Sequence, residues 1–182
     1  MNPSHARSAI ALVGLSGSGK STVAPLLASR LGGSCADLDA RIEATSGMTI
    51  RELFATRGEP AFRELECDAL AVALEEGIRV IACGGGVVES TAARTILRER
   101  CHTVWLQVEV PEALRRMGEA IVARPLLATE QQSEGLAQCL ARRAAAYAEV
   151  SRTQLDTRGL TASEVVERIL HALRPANREA GS

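Results

Sequence analysis

Apolar positions along this chain fall into two alternating patterns. Residues 9–13 (Ala-Ile-Ala-Leu-Val) are a short unbroken apolar run, with the length and branching of a strand buried on both faces. Comparable runs recur at 79–83 and 102–108, with shorter ones at 34–39 and 154–157. Between them the apolar residues take helical spacing. One helix is expected over 23–31, with Pro25 close to its first turn and Gly32-Gly33 as its stop. A helical region follows over 40–77, broken near Ser46-Gly47 and again at 57–60, and its last part, 61–76, is amphipathic. Further helices are expected over 91–100, from Pro111 onward, over 133–149, and from a Ser163 cap to Leu173. The stretch 118–132 is softer in pattern, and 175–182 reads as a polar tail. Five strands joined by helical crossovers predict an α/β fold with a parallel sheet covered on both faces. Ligands of such sheets sit beyond the carboxyl ends of the strands, so those ends hold the candidate chemistry.

The first strand runs directly into Gly14-Leu15-Ser16-Gly17-Ser18-Gly19-Lys20-Ser21, followed by Thr22. This fits G-x-x-x-x-G-K-[ST], and strand, glycine loop and helix occur in the order that gives the string its meaning. The glycines allow the backbone N–H groups to curl inward around phosphate oxygens, and the helix N-terminus adds a positive field. Lys20 is expected on the β- and γ-phosphates and the Ser21 hydroxyl on Mg²⁺. Gly17, Ser18, Gly19 and Thr22 complete the nucleotide-binding set. A plain turn between strand and helix is the competing reading, and it does not account for the lysine and hydroxyl at these positions. The chain reads as a nucleoside triphosphate-binding protein.

Three other strand ends carry candidates. Asp37 and Asp39 are two apart at the end of the second strand, so in an extended conformation both carboxylates can point the same way. Beside a magnesium nucleotide, one can hold the metal through water and the other can orient an acceptor hydroxyl and take its proton. Caps of a following helix are the alternative. Gly84-Gly85-Gly86 ends the third strand, and three glycines together suggest a ligand close to the backbone, against a wide turn as the simpler explanation. Arg63 and Arg143 lie on helices, where solvated surface charge is the commoner fate. If they converge, two guanidinium groups suit a carboxylate. Arg116 and Arg124 bracket the soft stretch, and an arginine on a closing lid can stabilise a phosphoryl group in transfer.

Composition narrows the classes. The length of 182 residues, 46% apolar and 24% charged, suits one globular domain. A net charge of −1 with both signs interspersed gives no footprint for nucleic acid, and no apolar run has the length of a membrane span. The five cysteines are widely spaced with no C-x-x-C pair, which fits thiols of a reduced compartment, the cytoplasm. A cleaved leader would remove part of the first strand, on which the glycine loop depends. A monomer is expected.

Beyond the glycine loop, a longer set of motifs appears in order: Asp37-Leu38-Asp39, Gly47-Met48-Thr49-Ile50, Phe54 with Gly58-Glu59, Phe62-Arg63-Glu64-Leu65-Glu66, Gly84-Gly85-Gly86-Val87-Val88, Arg124-Pro125-Leu126-Leu127, Arg143 with Tyr147, and Asp156-Thr157. In these the chain resembles the shikimate kinases from its first strand to its closing helix. The resemblance implies a three-layer α/β/α P-loop kinase fold with strand order 2-3-1-4-5. It divides one kinase domain, 1–182, into a substrate-binding segment at about 37–70 and a lid at about 118–130. It implies that Asp39, Arg63, Gly84, Gly85, Gly86 and Arg143 bind shikimate, the arginines on its carboxylate and Asp39 on its hydroxyls. By the same resemblance Lys20 and Arg124 contact the transferring phosphate, Asp39 is catalytic, and Ser21 and Asp37 hold Mg²⁺. Arg116 and the loop after Asp156-Thr157, up to Ala162, would hold the adenine. The implied reaction is ATP plus shikimate giving ADP plus 3-phosphoshikimate, a step toward chorismate and the aromatic amino acids. The chain departs from the family's pattern in an apolar stretch at 118–123, in Ala162 where a proline often stands, and in Ala144-Ala145-Ala146 between Arg143 and Tyr147.

Overall fold

A computed structural model describes residues 9–120 and 130–174. Five parallel strands lie in the order β2-β3-β1-β4-β5. They are β1 (Ala9–Val13), β2 (Cys35–Asp37), β3 (Val80–Ala82), β4 (Cys101–Gln107) and β5 (Thr153–Asp156). The helices between them are α1 (Lys20–Leu31), α2 (Leu38–Ser46), α3 (Ile50–Glu75), α4 (Thr91–Arg100), α5 (Val110–Ala120), α6 (Glu130–Val150) and α7 (Ala162–Ala172). The order places β1 at the centre, with β3 and β4 as its neighbours, so the loop after β1 opens at the middle of the sheet's carboxyl edge.

Alternation along the strands divides the core in two. Ala11 and Val13 face one way with Ile81 and Trp105, and pack against Leu70 of α3, Leu97 of α4 and Tyr147 of α6. Ile10 and Leu12 face the other way with Val80 and Leu106, against Val23 and Leu27 of α1 and Val166 and Ile169 of α7. Each face of the sheet therefore carries its own helical layer, giving three layers. Complete burial of side chains such as Leu12, Leu27 and Leu106 is worth about 1.5–3 kcal/mol each.

Several boundaries differ from expectation for local reasons. Helix α1 begins at Lys20, three residues early, because Gly19 takes a left-handed conformation (φ 94°) and its carbonyl accepts from Val23 N at 2.9 Å. Pro25 consequently lies in the second turn. The second strand stops at Asp37, whose carboxylate accepts from Asp39 N (3.1 Å) and Ala40 N (3.3 Å) and caps α2. Asp39 is thus in the first helical turn, not on an extended strand. Helix α7 is capped by Thr161, not Ser163: Thr161 and Glu164 form a reciprocal capping box, which T-x-x-E at 161–164 carries in the sequence. The expected break at 57–60 is a kink within α3, where Gly58 has φ 77° and ψ 172°.

Candidate active site

The loop after β1 folds around its own lysine. Lys20 Nζ donates to Gly14 O (2.9 Å), Leu15 O (2.8 Å) and Ser18 Oγ (3.4 Å). Burial pushes the Lys20 ammonium down to about 8, while Asp39, Cys83 and Asp37 pull it back up. An ammonium held this way, inside a curl of backbone at a helix N-terminus, is placed for a phosphate chain. A cavity of about 480 Å³ opens here, lined by Gly17, Gly19, Lys20, Ser21, Asp37 and Asp39, with Gly85 and Arg116 at its sides. Asp37 and Asp39 do reach one cavity, through the turn into α2 and not along a strand.

Ser21 Oγ donates to Asp37 Oδ2 at 2.6 Å, so a hydroxyl and a carboxylate from two elements meet beside the loop. Both are hard oxygen donors of the kind Mg²⁺ accepts together with phosphate oxygens and water. Among the described residues no group of three or more His, Cys, Asp or Glu side chains could hold a metal unaided. Burial pushes the Asp39 carboxyl above the usual carboxylate range, and neighbouring Asp37 raises it further, against the pull of Lys20. A carboxylate so shifted is a better proton acceptor than an ordinary aspartate.

The glycine run after β3 brings the second half of the site against the first. Gly84 leaves room for Asp39 Oδ1 (a Cβ there would lie 2.7 Å from it) and for the Glu66 carboxylate. Gly86 leaves room for the Arg63 guanidinium. Arg63, on α3, pairs with Glu59 (2.6 Å), Glu66 (2.5 Å) and Glu89 (2.5 Å). Arg143, on α6, donates to Gly85 O (3.3 Å) and to Glu89, and the Tyr147 hydroxyl donates to Gly85 O as well. Two buried polar atoms in this region have no hydrogen-bond partner among the described residues, Arg63 Nε and Asp39 Oδ1. An unpaired buried donor and acceptor on either side of a glycine run are groups that a polar ligand would satisfy.

Arg116, on α5, donates to Thr157 Oγ1 (3.2 Å) and Thr157 O (3.0 Å) and to Glu112 (2.7 Å), so α5 is tied to the loop after β5 beside the glycine loop. Ala162 opens α7 and packs against the second core, and it does not line this cavity. Arg124 and most of the expected lid, 118–130, lie outside the described residues.

Sequence reasoning gave no role to Ser16, Cys83, Met117, Glu59 or Glu89, which line or border the two halves. Glu59 and Glu66 were open to helical spacing, four residues before and three after Arg63. Glu89 is 26 residues from Arg63 and 54 from Arg143. No local pattern joins them.

The shikimate kinase family model matches residues 16–174. The chain is 40% identical over 173 residues to a shikimate kinase of Mycobacterium tuberculosis, covering 94% of this chain and 97% of that protein. It is 41% identical over 167 residues to that of Geobacter metallireducens, covering 92% of each. Among solved structures it superposes on the shikimate kinase of Acinetobacter baumannii in complex with shikimate with a TM-score of 0.83 and 33% identity, over 91% of this chain and 92% of that one. By the family model, these identities over nearly the whole chain and the shared fold, the chain belongs to the shikimate kinase family.

Proposed function

We propose that this ATP-dependent kinase transfers the γ-phosphoryl group of ATP to the 3-hydroxyl of shikimate, giving 3-phosphoshikimate and ADP on the route to chorismate. The observation that carries this reading is the unpaired pair, Arg63 Nε and Asp39 Oδ1, buried beside the glycine run. Arg63 with Arg143 suits the acceptor's carboxylate, and Asp39 suits its hydroxyls. Gly84 and Gly86 make room for the Asp39 and Arg63 side chains that meet the acceptor, and Gly85, in the cavity wall, lets the ring approach the backbone. Gly17, Ser18, Gly19, Lys20 and Thr22 cradle the phosphates, and Arg116 and the turn up to Ala162 receive the adenine. Ser21 and Asp37 would hold Mg²⁺, which when bound screens the charge of the β- and γ-phosphates. Lys20, joined by Arg124, stabilises negative charge on the group in transfer. Asp39 holds the acceptor hydroxyl in line and takes its proton at a carboxylate oxygen.

In this reading the chain is one domain, with 37–70 holding the acceptor and 118–130 closing as a lid. A cytoplasmic monomer is the assembly we propose. The free cysteines fit a reducing compartment, and the large apolar side chains exposed among the described residues are spread out, Leu26 on α1 and Phe54 and Val72 on α3 with the Gly58 kink between them.

A coupled ADP-release assay with MgATP tests the reading, with shikimate, gluconate, adenylylsulfate or no acceptor added in turn. Release that depends on shikimate alone is expected. Release with another acceptor would discard the acceptor assignment and keep the nucleotide site. For Asp39→Asn, the expected result is a fall in kcat of about 10²–10⁴-fold, the range of general base catalysis. In the wild type kcat should fall at acid pH as Asp39 takes up a proton, above the ordinary aspartate range. Near-normal turnover by the variant would remove the base role.

A further inference from the structure

The two arginines read above as binders of the acceptor's carboxylate already share a carboxylate of the protein. Glu89 ends a single 3-10 turn, Val87–Glu89, directly after the glycine run. One of its oxygens accepts from Arg143 Nε (3.1 Å), and the other accepts from Arg143 Nη2 (3.2 Å) and Arg63 Nη2 (2.5 Å). That two-point pairing with Arg143 is the geometry a substrate carboxylate would use. Arg142 reaches Glu89 at 2.8 Å from the solvent side. Arg63, Arg142 and Arg143 thus face Glu59, Glu66 and Glu89, and the three positive charges are matched by three negative ones before any acid arrives.

Only one of these carboxylates is suited to leave. Glu66 is 1% exposed and lies on the helix that carries Arg63. Glu59 reaches Arg63 but is not bonded to Arg143. Glu89 is bonded to both arginines and is about one-fifth exposed. It also borders a cavity of about 540 Å³ in which Arg94 and Arg142 offer it other partners.

We propose that Glu89 is an internal stand-in for the substrate carboxylate, and that it lowers affinity for an acidic acceptor by competing for Arg63 and Arg143. This rests on the reading of those arginines as carboxylate binders. The acceptor's acid group then gains only the difference between its own pairing and that of Glu89. Removing the charge at position 89 removes the competitor.

The test is calorimetric binding of shikimate and of its uncharged carboxamide to the wild type, Glu89→Gln and Glu89→Ala, with ATP binding as the check of an intact fold. The wild type should bind shikimate more tightly than the carboxamide. Both variants should tighten shikimate by about tenfold, with the carboxamide and ATP unchanged. If the wild type prefers the acid but neither variant tightens it, Glu89 only braces the arginines and the proposal is overturned. An equal gain for the carboxamide would mean that Glu89 acts by its bulk, which also overturns it. If the wild type does not distinguish acid from amide, the carboxylate reading itself fails and takes the stand-in with it.

Discussion

Lys20→Met is expected to lower kcat/KM about a thousandfold while leaving the protein folded. Preorganised charge at a phosphoryl-transfer site is worth on the order of 4 kcal/mol to the transition state, and among the described residues Lys20 is the cation within the glycine loop itself. Folding should be spared for a separate reason. Lys20 is 8% exposed and its pKa falls from 10.5 to about 8 on burial. A lysine with a lowered folded pKa is a cost to stability at all pH below about 8, and that cost is relieved as pH rises from there toward 10.5. At neutral pH it amounts to about 3 kcal/mol, against which stand the hydrogen bonds to Gly14, Leu15 and Ser18. Methionine removes both, so the thermal midpoint should move by only a few degrees. The same titration gives a second readout. A triphosphate binds the charged lysine better, so wild-type ATP affinity should weaken as pH rises above about 8, with proton uptake on binding in that range. Lys20→Met should lose both effects. A variant that keeps more than a tenth of wild-type activity would assign the phosphate chemistry elsewhere.

The fold was legible wherever its cause was local or periodic. The run at 9–13, the glycines after it and the helix beyond form one continuous stretch, and each states its own conformation. Gly14, Gly17 and Gly19 take φ of 141°, 80° and 94°, which L side chains rarely adopt. Both core faces follow from alternation in β1. Errors fell where two local causes compete. Asp37 could extend the strand or cap the next helix, and with Leu38 and Ile42 four apart and buried, the cap wins. Ser163 and Thr161 are both capping residues, and only the glutamate three residues after Thr161 separates them.

The candidate site was legible in its parts and not in its wiring. Each of Lys20, Asp39, Arg63 and Arg143 can be named from residue type and strand end. What the sequence does not carry is that Arg63 on α3 and Arg143 on α6 meet over a carboxylate supplied by neither helix. That meeting depends on β3 lying beside β1, which brings the turn holding Glu89 between the two helices. Charge balance at a site is a property of the assembled sheet order, so patterns along the chain cannot report it.

Gly86→Ala should raise the KM for shikimate about 30- to 150-fold and leave the KM for ATP within about twofold. Gly86 has φ −102° and ψ 2°, a conformation open to ordinary residues, so alanine strains no backbone. The obstacle is what stands where its methyl would go: Nη1, Nη2 and Cζ of Arg63 would all lie inside van der Waals contact. That guanidinium cannot step aside freely. Glu59, Glu66 and Glu89 hold it, and the rings of Phe62 and Phe54 lie 5.5 and 5.9 Å from its carbon. Displacing it forfeits a charged hydrogen bond to the acceptor, worth about 2–3 kcal/mol, whereas the nucleotide loop is left untouched. The glycine's role can be separated from general damage by a double-mutant cycle. In an Arg63→Ala background the added methyl meets no guanidinium, so Gly86→Ala should cost almost nothing further. Full additivity of the two substitutions would mean that the missing side chain at position 86 serves something other than the seat of Arg63.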